Sequence, residues 1–172
     1  MCELTTGYTK QNCASVGGIK SITIYNMENR ASYVESGNEI TAITMESGKQ
    51  AFTFSLDQQS ASFTETQTRS RENNSLFYEI AGQIMIKDDE DATRDLLALI
   101  GGGFIGVIAE KKSGKYVHYG VVNGLTVGTS EIVTGQNYED MNGATINVVG
   151  REVAIAPYLD ASVVTSILTP AP

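Results

Sequence analysis

The sequence predicts a mainly β fold: an antiparallel β-sandwich or half-barrel, with one flanking α-helix at about 89–100 and a long β-hairpin at about 50–87. Three observations carry this. Short segments rich in β-branched and aromatic residues alternate between two faces, the period-2 pattern of half-buried strands. Ser113-Gly114 punctuates them as a hairpin turn and Asn123-Gly124 as a two-residue turn. Only one stretch, "KDDEDATRDLLALIGG", repeats its apolar residues at helical spacing. At 172 residues, 41% of them hydrophobic and 19% charged, the chain has enough surface to bury for one domain.

In chain order, residues 1–18 are polar, end in Gly17-Gly18, and read as an arm. "IKSITIYN" alternates, with Ile19, Ser21, Thr23 and Tyr25 on one face and Lys20, Ile22, Ile24 and Asn26 on the other. "MENRASYVESGN" reads as a turn-rich connection. "EITAITM" is a second strand, placing Ile40, Ala42 and Thr44 opposite Thr41, Ile43 and Met45. Ser47-Gly48 turns the chain toward "QAFTFSL", where Phe52, Phe54 and Leu56 alternate with Thr53 and Ser55. The polar run "DQQSASFTETQTRSRENN" follows, and then "SLFYEIAGQIMIKD", with Leu76, Tyr78, Ile80, Ile84 and Ile86 on one face. Residues 50–87 therefore read as two strands joined by a long polar tip. Such a tip buries too little apolar surface to offset an ordering cost of about 1–2 kcal/mol per residue, so it is expected to be mobile until a partner orders it.

The helix is expected to be capped by Asp88 or Asp89, with Glu90 and Asp91 favouring its positive end. Ala92, Leu96, Leu99 and Ile100 form its apolar stripe, and Gly101 falls where a left-handed C-cap belongs. "FIGVIAE" and "KYVHYGVV" are strands flanking the Ser113-Gly114 turn, and Asn123-Gly124 leads into "LTVGTSEIV". "TGQNYEDMNG" is an acidic loop and "ATINVVG" a last strand, which "REVAIAPYL" extends or follows along an edge as far as Pro157. "VTSILTPAP" reads as a tail. The organisation is an arm (1–18), one β-rich domain (19–159) and a C-terminal tail (160–172).

Twelve basic and 20 acidic residues leave a net charge of −8, which repels nucleic acid as a bound partner. No apolar run approaches the roughly 20 residues of a membrane helix. "MCELTTGYTKQNC" lacks both a signal-peptide core and a myristoylation glycine, so a cytosolic product is expected. Cys2 and Cys13 with the single His118 make no standard zinc site; they are read as free thiols, with a Cys2–Cys13 bridge as the alternative.

Gly101, Gly103 and Gly106 match G-x-G-x-x-G, but here a helix enters the glycines and a strand leaves them. A dinucleotide site needs the reverse order, with a helix N-terminus at the phosphates. The glycines are read as serving the backbone, Gly106 as a bulge. "SGKY" is no P-loop, and consecutive acids at 88–91 do not converge on a metal. His118 reads as a partly buried or exposed strand residue. "RSRENN" pairs Arg69 and Arg71 with Glu72. Nothing reads as catalytic, and neither cofactor nor metal is expected.

"SASFTETQTRSRENNSLFYE", "SGKYVHYGVVNGLTV" and "TGQNYEDMNGATINVVGREVAIAPYL", in that order, resemble a family of small structural proteins from tailed phages of Bacteroidetes-type bacteria. The resemblance runs from about Val16 to Leu159, and the layout is similar to the tail-tube fold. It implies a virion protein of the tail, assembled in the host cytoplasm. Its partners would be copies of itself in stacked, hexameric rings, other tail or neck proteins, and DNA passing through without sequence-specific binding. Tail hubs, tail terminators, head–tail connectors and capsid decoration proteins are the alternatives; a nucleotide-binding enzyme is the reading from another class. On this resemblance the hairpin tip, with Phe63, Arg69, Arg71 and Glu72, is the assembly element. Asp57, Glu65 and Glu79 are the candidate lumen-facing acids.

Overall fold

A computed structural model describes residues 7–8, 16–57, 59–87 and 91–171. Seven strands form the larger sheet: β1 (Ile19–Asn26), β2 (Arg30–Ser36), β3 (Glu39–Met45), β4 (Phe52–Ser55), β7 (Ile105–Lys111), β8 (Tyr116–Tyr119) and β11 (Tyr158–Leu159). Their order is β2-β3-β11-β8-β7-β1-β4. β5 (Ala61–Ser70), β6 (Ser75–Ile86), β9 (Thr126–Val133) and β10 (Gly143–Glu152) form a four-stranded antiparallel sheet in the order β5-β6-β10-β9. α1 spans Asp91–Ile100 and α2 spans Ala161–Ile167. The fold is a β-sandwich with flanking helices; the sheets do not close into a barrel.

Two cores make three layers. Between the sheets, Ile22, Ile24, Val107 and Ala109 face Ile80, Ile84, Ile146 and Val148, with Ile100 of α1 against the same cluster. On the far face of the larger sheet, Tyr25, Ile108, Ile40, Ile43 and Leu159 pack under Val163, Val164 and Ile167 of α2. β1 therefore buries both faces, which is why Thr23 and Tyr25 are as enclosed as Ile22 and Ile24. β3 departs from strict alternation. Its register against β2 skips Thr41, and that extra residue brings Ile40 and Ile43 to the same α2-facing side.

Several expectations change. The connection at 27–38 contains a single 3₁₀ turn, Met27–Asn29, and then β2, an edge strand whose faces are both largely open. The hairpin expected at 50–87 is divided between the sheets: β4 pairs with β1, and the hairpin proper is β5–β6. The expected C-terminal tail at 160–172 contains α2, whose three buried residues complete the second core. Gly101 ends α1 by donating to the Leu97 carbonyl at 3.2 Å, without a left-handed φ. Gly106 is no bulge. It lies directly across from Tyr25, whose ring occupies the space a Cβ would need. Asp88, Asp89 and Glu90, the side chains of Ala92, Leu96 and Leu99, and Cys2 and Cys13 lie outside the described residues.

Candidate assembly interface

The hairpin β5–β6 dominates the four-stranded sheet. β10 accompanies β6 only from Ile86 back to Tyr78, while the β5–β6 ladder continues to the pair Ser70 and Ser75. The overshoot is about three residues, or roughly 10 Å at the rise of a strand, plus the turn 71–74. The polar segment expected to be a mobile tip is thus a paired strand as far as Ser70, and Asn74 closes its turn at φ 47°. Beyond the body Leu76 is 46% exposed, and Gln67 and Arg69 are exposed on the same face.

The base of the hairpin is anchored in the domain. Phe63 stacks on Tyr119 with ring centroids 4.6 Å apart and planes 6° from parallel. Its ring lies over Gly82, its direct partner on β6, where a Cβ would collide with it. Two residues on, Glu65 accepts a hydrogen bond at 2.8 Å from the Ala156 backbone N–H. Phe63 and Glu65 therefore belong to the inward face, and neither sits at the tip. Arg69, Arg71 and Glu72 do lie at the distal end, and no ion pair joins them among the described residues. Glu79 points outward and is held by Arg151 at 2.9 Å, while Asp57 lies outside the sheet, 3.8 Å from Lys87. The three carboxylates do not share a surface.

The outward face of this sheet was not singled out in the sequence. Along β5 it carries Ser62, Thr64, Thr66, Thr68 and Ser70, one hydroxyl at every second residue. Gln83, Asn147 and Thr129 continue it across the sheet, with Asn147 donating to the Thr129 hydroxyl at 2.9 Å. The signal was present as S-x-T-x-T-x-T-x-S, but the wet and packed faces could not be told apart without the partner strand. β5 and β9 end the sheet, each with one side lacking a strand partner among the described residues, while α1 packs against the inter-sheet core near β9.

His118, read as partly buried or exposed, is fully enclosed on the α2 side of the larger sheet. Arg30 donates to the Tyr25 hydroxyl at 3.2 Å, and that hydroxyl bonds His118 Nε2 at 2.8 Å. Donation of the hydroxyl's one proton to Nε2, which leaves the oxygen free to accept from Arg30, corresponds to the tautomer with the imidazole proton on Nδ1. Nδ1 has no protein partner, and a cavity of about 20 Å³, the size of one water molecule, lies among His118, Gly120, Glu152 and Pro157. Burial pushes the His118 pKa down to about 3 and that of Tyr25 up to about 12. Glu152, also buried, accepts from the Val122 and Asn123 amides at 3.1 and 3.0 Å and so fastens the 120–124 turn. Its pKa is raised by burial, against the opposing pull of those amides. The cluster ties together β1, β2, β8 and the end of β10, and the small cavity beside His118 is bordered by the exposed Glu35, Val122 and Ile155.

Among the described residues no three metal-ligating side chains converge, and no helix is long and apolar enough to cross a membrane. No protein-family model, curated protein or solved structure matches the chain.

Proposed function

We propose that the chain is a self-assembling structural protein of the phage tail-tube type, its copies forming stacked rings that conduct DNA. The observation that carries this reading is the pair of edges on the four-stranded sheet that have no strand partner among the described residues. With every neighbour antiparallel, β5 and β9 run in opposite directions. β5 of one copy then fits beside β9 of the next as an ordinary antiparallel pair, and repetition continues one sheet around a ring. Closure removes both edges, which otherwise invite uncontrolled aggregation. Four strands at about 4.8 Å add about 19 Å of circumference per copy, so six copies enclose a bore about 37 Å across between backbones. The overshooting hairpin, with Leu76 exposed and no ion pair at Arg69 or Arg71 among the described residues, supplies surface for a neighbouring copy. Stacked rings, neighbouring tail or neck proteins and a place in the virion tail follow from the same reading.

Size-exclusion chromatography with light scattering and electron microscopy of the full chain test it. Large symmetric particles are expected, and a strictly monomeric protein at high concentration overturns the proposal. Replacing residues 69–76 with Asn-Gly leaves the Thr68–Phe77 pair closed by a two-residue turn and should yield a folded monomer. A wider deletion of 58–73 removes Phe63 and Glu65 from the core as well, and is expected to unfold.

A further inference from the structure

We infer that the hydroxyl-bearing face of the four-stranded sheet is the wall of the bore, and that it meets DNA as a nearly uncharged, water-bearing surface. The inference rests on the assembly reading above and adds to it the face, the residues and the chemistry. The direction of curvature follows from the layers. The larger sheet and α2 are stacked on the inward face of the four-stranded sheet, and among the described residues no helix or strand packs on its other face. When copies join edge to edge, the side carrying the bulk of each subunit needs the longer circumference. The bulk therefore lies outside and the bare face lies inside.

That face departs from the composition of the chain. The protein carries −8, yet the charges on the outward face are Glu79, Arg151 and Glu131, and the first two neutralise each other at 2.9 Å. The rest is dominated by hydroxyls and amides: the five Ser and Thr of β5 at intervals of about 6.8 Å, with Gln83, Asn147 and Thr129 beside them. Small hydroxyls hold a water layer, offer phosphate no cation to release counterions against, and repel it far less than a row of carboxylates. Phe77, the aromatic ring carried by the described strands on this face, is capped by the Arg151 guanidinium at 5.4 Å, and the exposed Phe104 ring borders the face at the Val149–Arg151 end. A duplex is thus neither gripped nor excluded. Asp57 and Glu65, expected to face the lumen, lie elsewhere, and Glu79 reaches it already paired.

Cysteine accessibility in the assembled protein tests the placement. In a Cys2→Ser/Cys13→Ser background, Thr66→Cys probes the hydroxyl face and Ser162→Cys, exposed on α2, probes the outside. Sedimentation comes first: a background protein that forms no assemblies defeats the assembly reading, and this inference with it. In assemblies, a small maleimide should label both positions, while a bulky polymer-linked maleimide should label Thr66→Cys at least tenfold more slowly than Ser162→Cys. Equal labelling by the bulky reagent would put the face outside, and protection of Thr66→Cys from the small one would bury it between copies; either result refutes the placement with assembly intact. Thr64→Lys/Thr66→Lys tests the chemistry. It should still assemble, and at low salt its assemblies should retain duplex DNA that the parent releases. Retention by the parent, or none by the lysine variant, overturns the neutral-wall claim.

Discussion

The contact of Phe63 with Gly82 decides whether the polar hairpin is part of the domain or an appendage, and a double-mutant cycle measures it. Phe63→Ala removes a half-buried ring and its stack on Tyr119, at a cost of about 2 kcal/mol for lost burial plus about 0.5–1.5 kcal/mol for stacking. Gly82→Ala places a methyl where the ring lies, and the ring is held from its other side by Tyr119. Overpacking of that kind costs about 1–3 kcal/mol, less a few tenths recovered from replacing glycine in a strand. In the double variant the methyl enters the space the ring vacated. It should be no less stable than Phe63→Ala alone, giving a coupling energy of about 1–2 kcal/mol. Chemical denaturation of the four proteins reads this directly. In thermal melts Phe63→Ala should fall by about 5–10 °C for a chain of this length. Additive effects of the two substitutions would refute the packing argument, and negligible effects of both would make the hairpin an appendage.

Tyr25→Phe leaves the His118 imidazole without its hydroxyl partner in an enclosed site and should cost about 1–3 kcal/mol by urea unfolding. Because the folded state holds His118 neutral down to about pH 3, while the unfolded chain protonates it near 6.5, the unfolded state binds the extra proton between those values. Its contribution is complete above about pH 6.5 and is lost as pH falls, with a slope approaching 1.4 kcal/mol per pH unit. The parent should lose stability toward acid more steeply than His118→Leu by that amount, and parallel profiles would contradict it. Glu65→Gln keeps an oxygen for the Ala156 amide and should be near neutral in melts, whereas Glu65→Ala strands that amide and should cost about 1–2 kcal/mol.

The sequence showed its strands where one face is dry and the other wet or differently dry. β1 and β10 could be read from alternation, and β3 could be placed but its faces were misread because of the extra residue at Thr41. The turns at Ser113-Gly114 and Asn123-Gly124 were legible from their glycines, which adopt φ of 83° at Gly114 and 76° at Gly124. β2 gave no such signal because an edge strand open on both faces has no hydrophobic period to display. β5 alternates, but with Glu65, Gln67 and Arg69 on its inward side, so it resembled a solvated tip. Only Phe63 betrayed the packed face, and its partner is a glycine that hydropathy ignores. α2 is short and rich in β-branched residues, and is helical because Val163, Val164 and Ile167 are buried together against β3. In the Arg30–Tyr25–His118 chain the first two residues are near neighbours, but His118 lies far along the sequence, so no local spacing announced it. Nor could any local pattern assign the hydroxyl row to a free face.

β11 is two residues long, yet it alone joins β2–β3 to the rest of the larger sheet, parallel to β3 on one side and antiparallel to β8 on the other. It works as a latch, held shut by α2 and by the Pro157 carbonyl receiving the His118 amide. When the latch lifts, two fresh strand borders appear in the middle of the molecule, each matched to the latch of any other copy. At high protein concentration, exchange of this segment between molecules is the hazard this arrangement carries, and the burial of Leu159 and Ile167 opposes it.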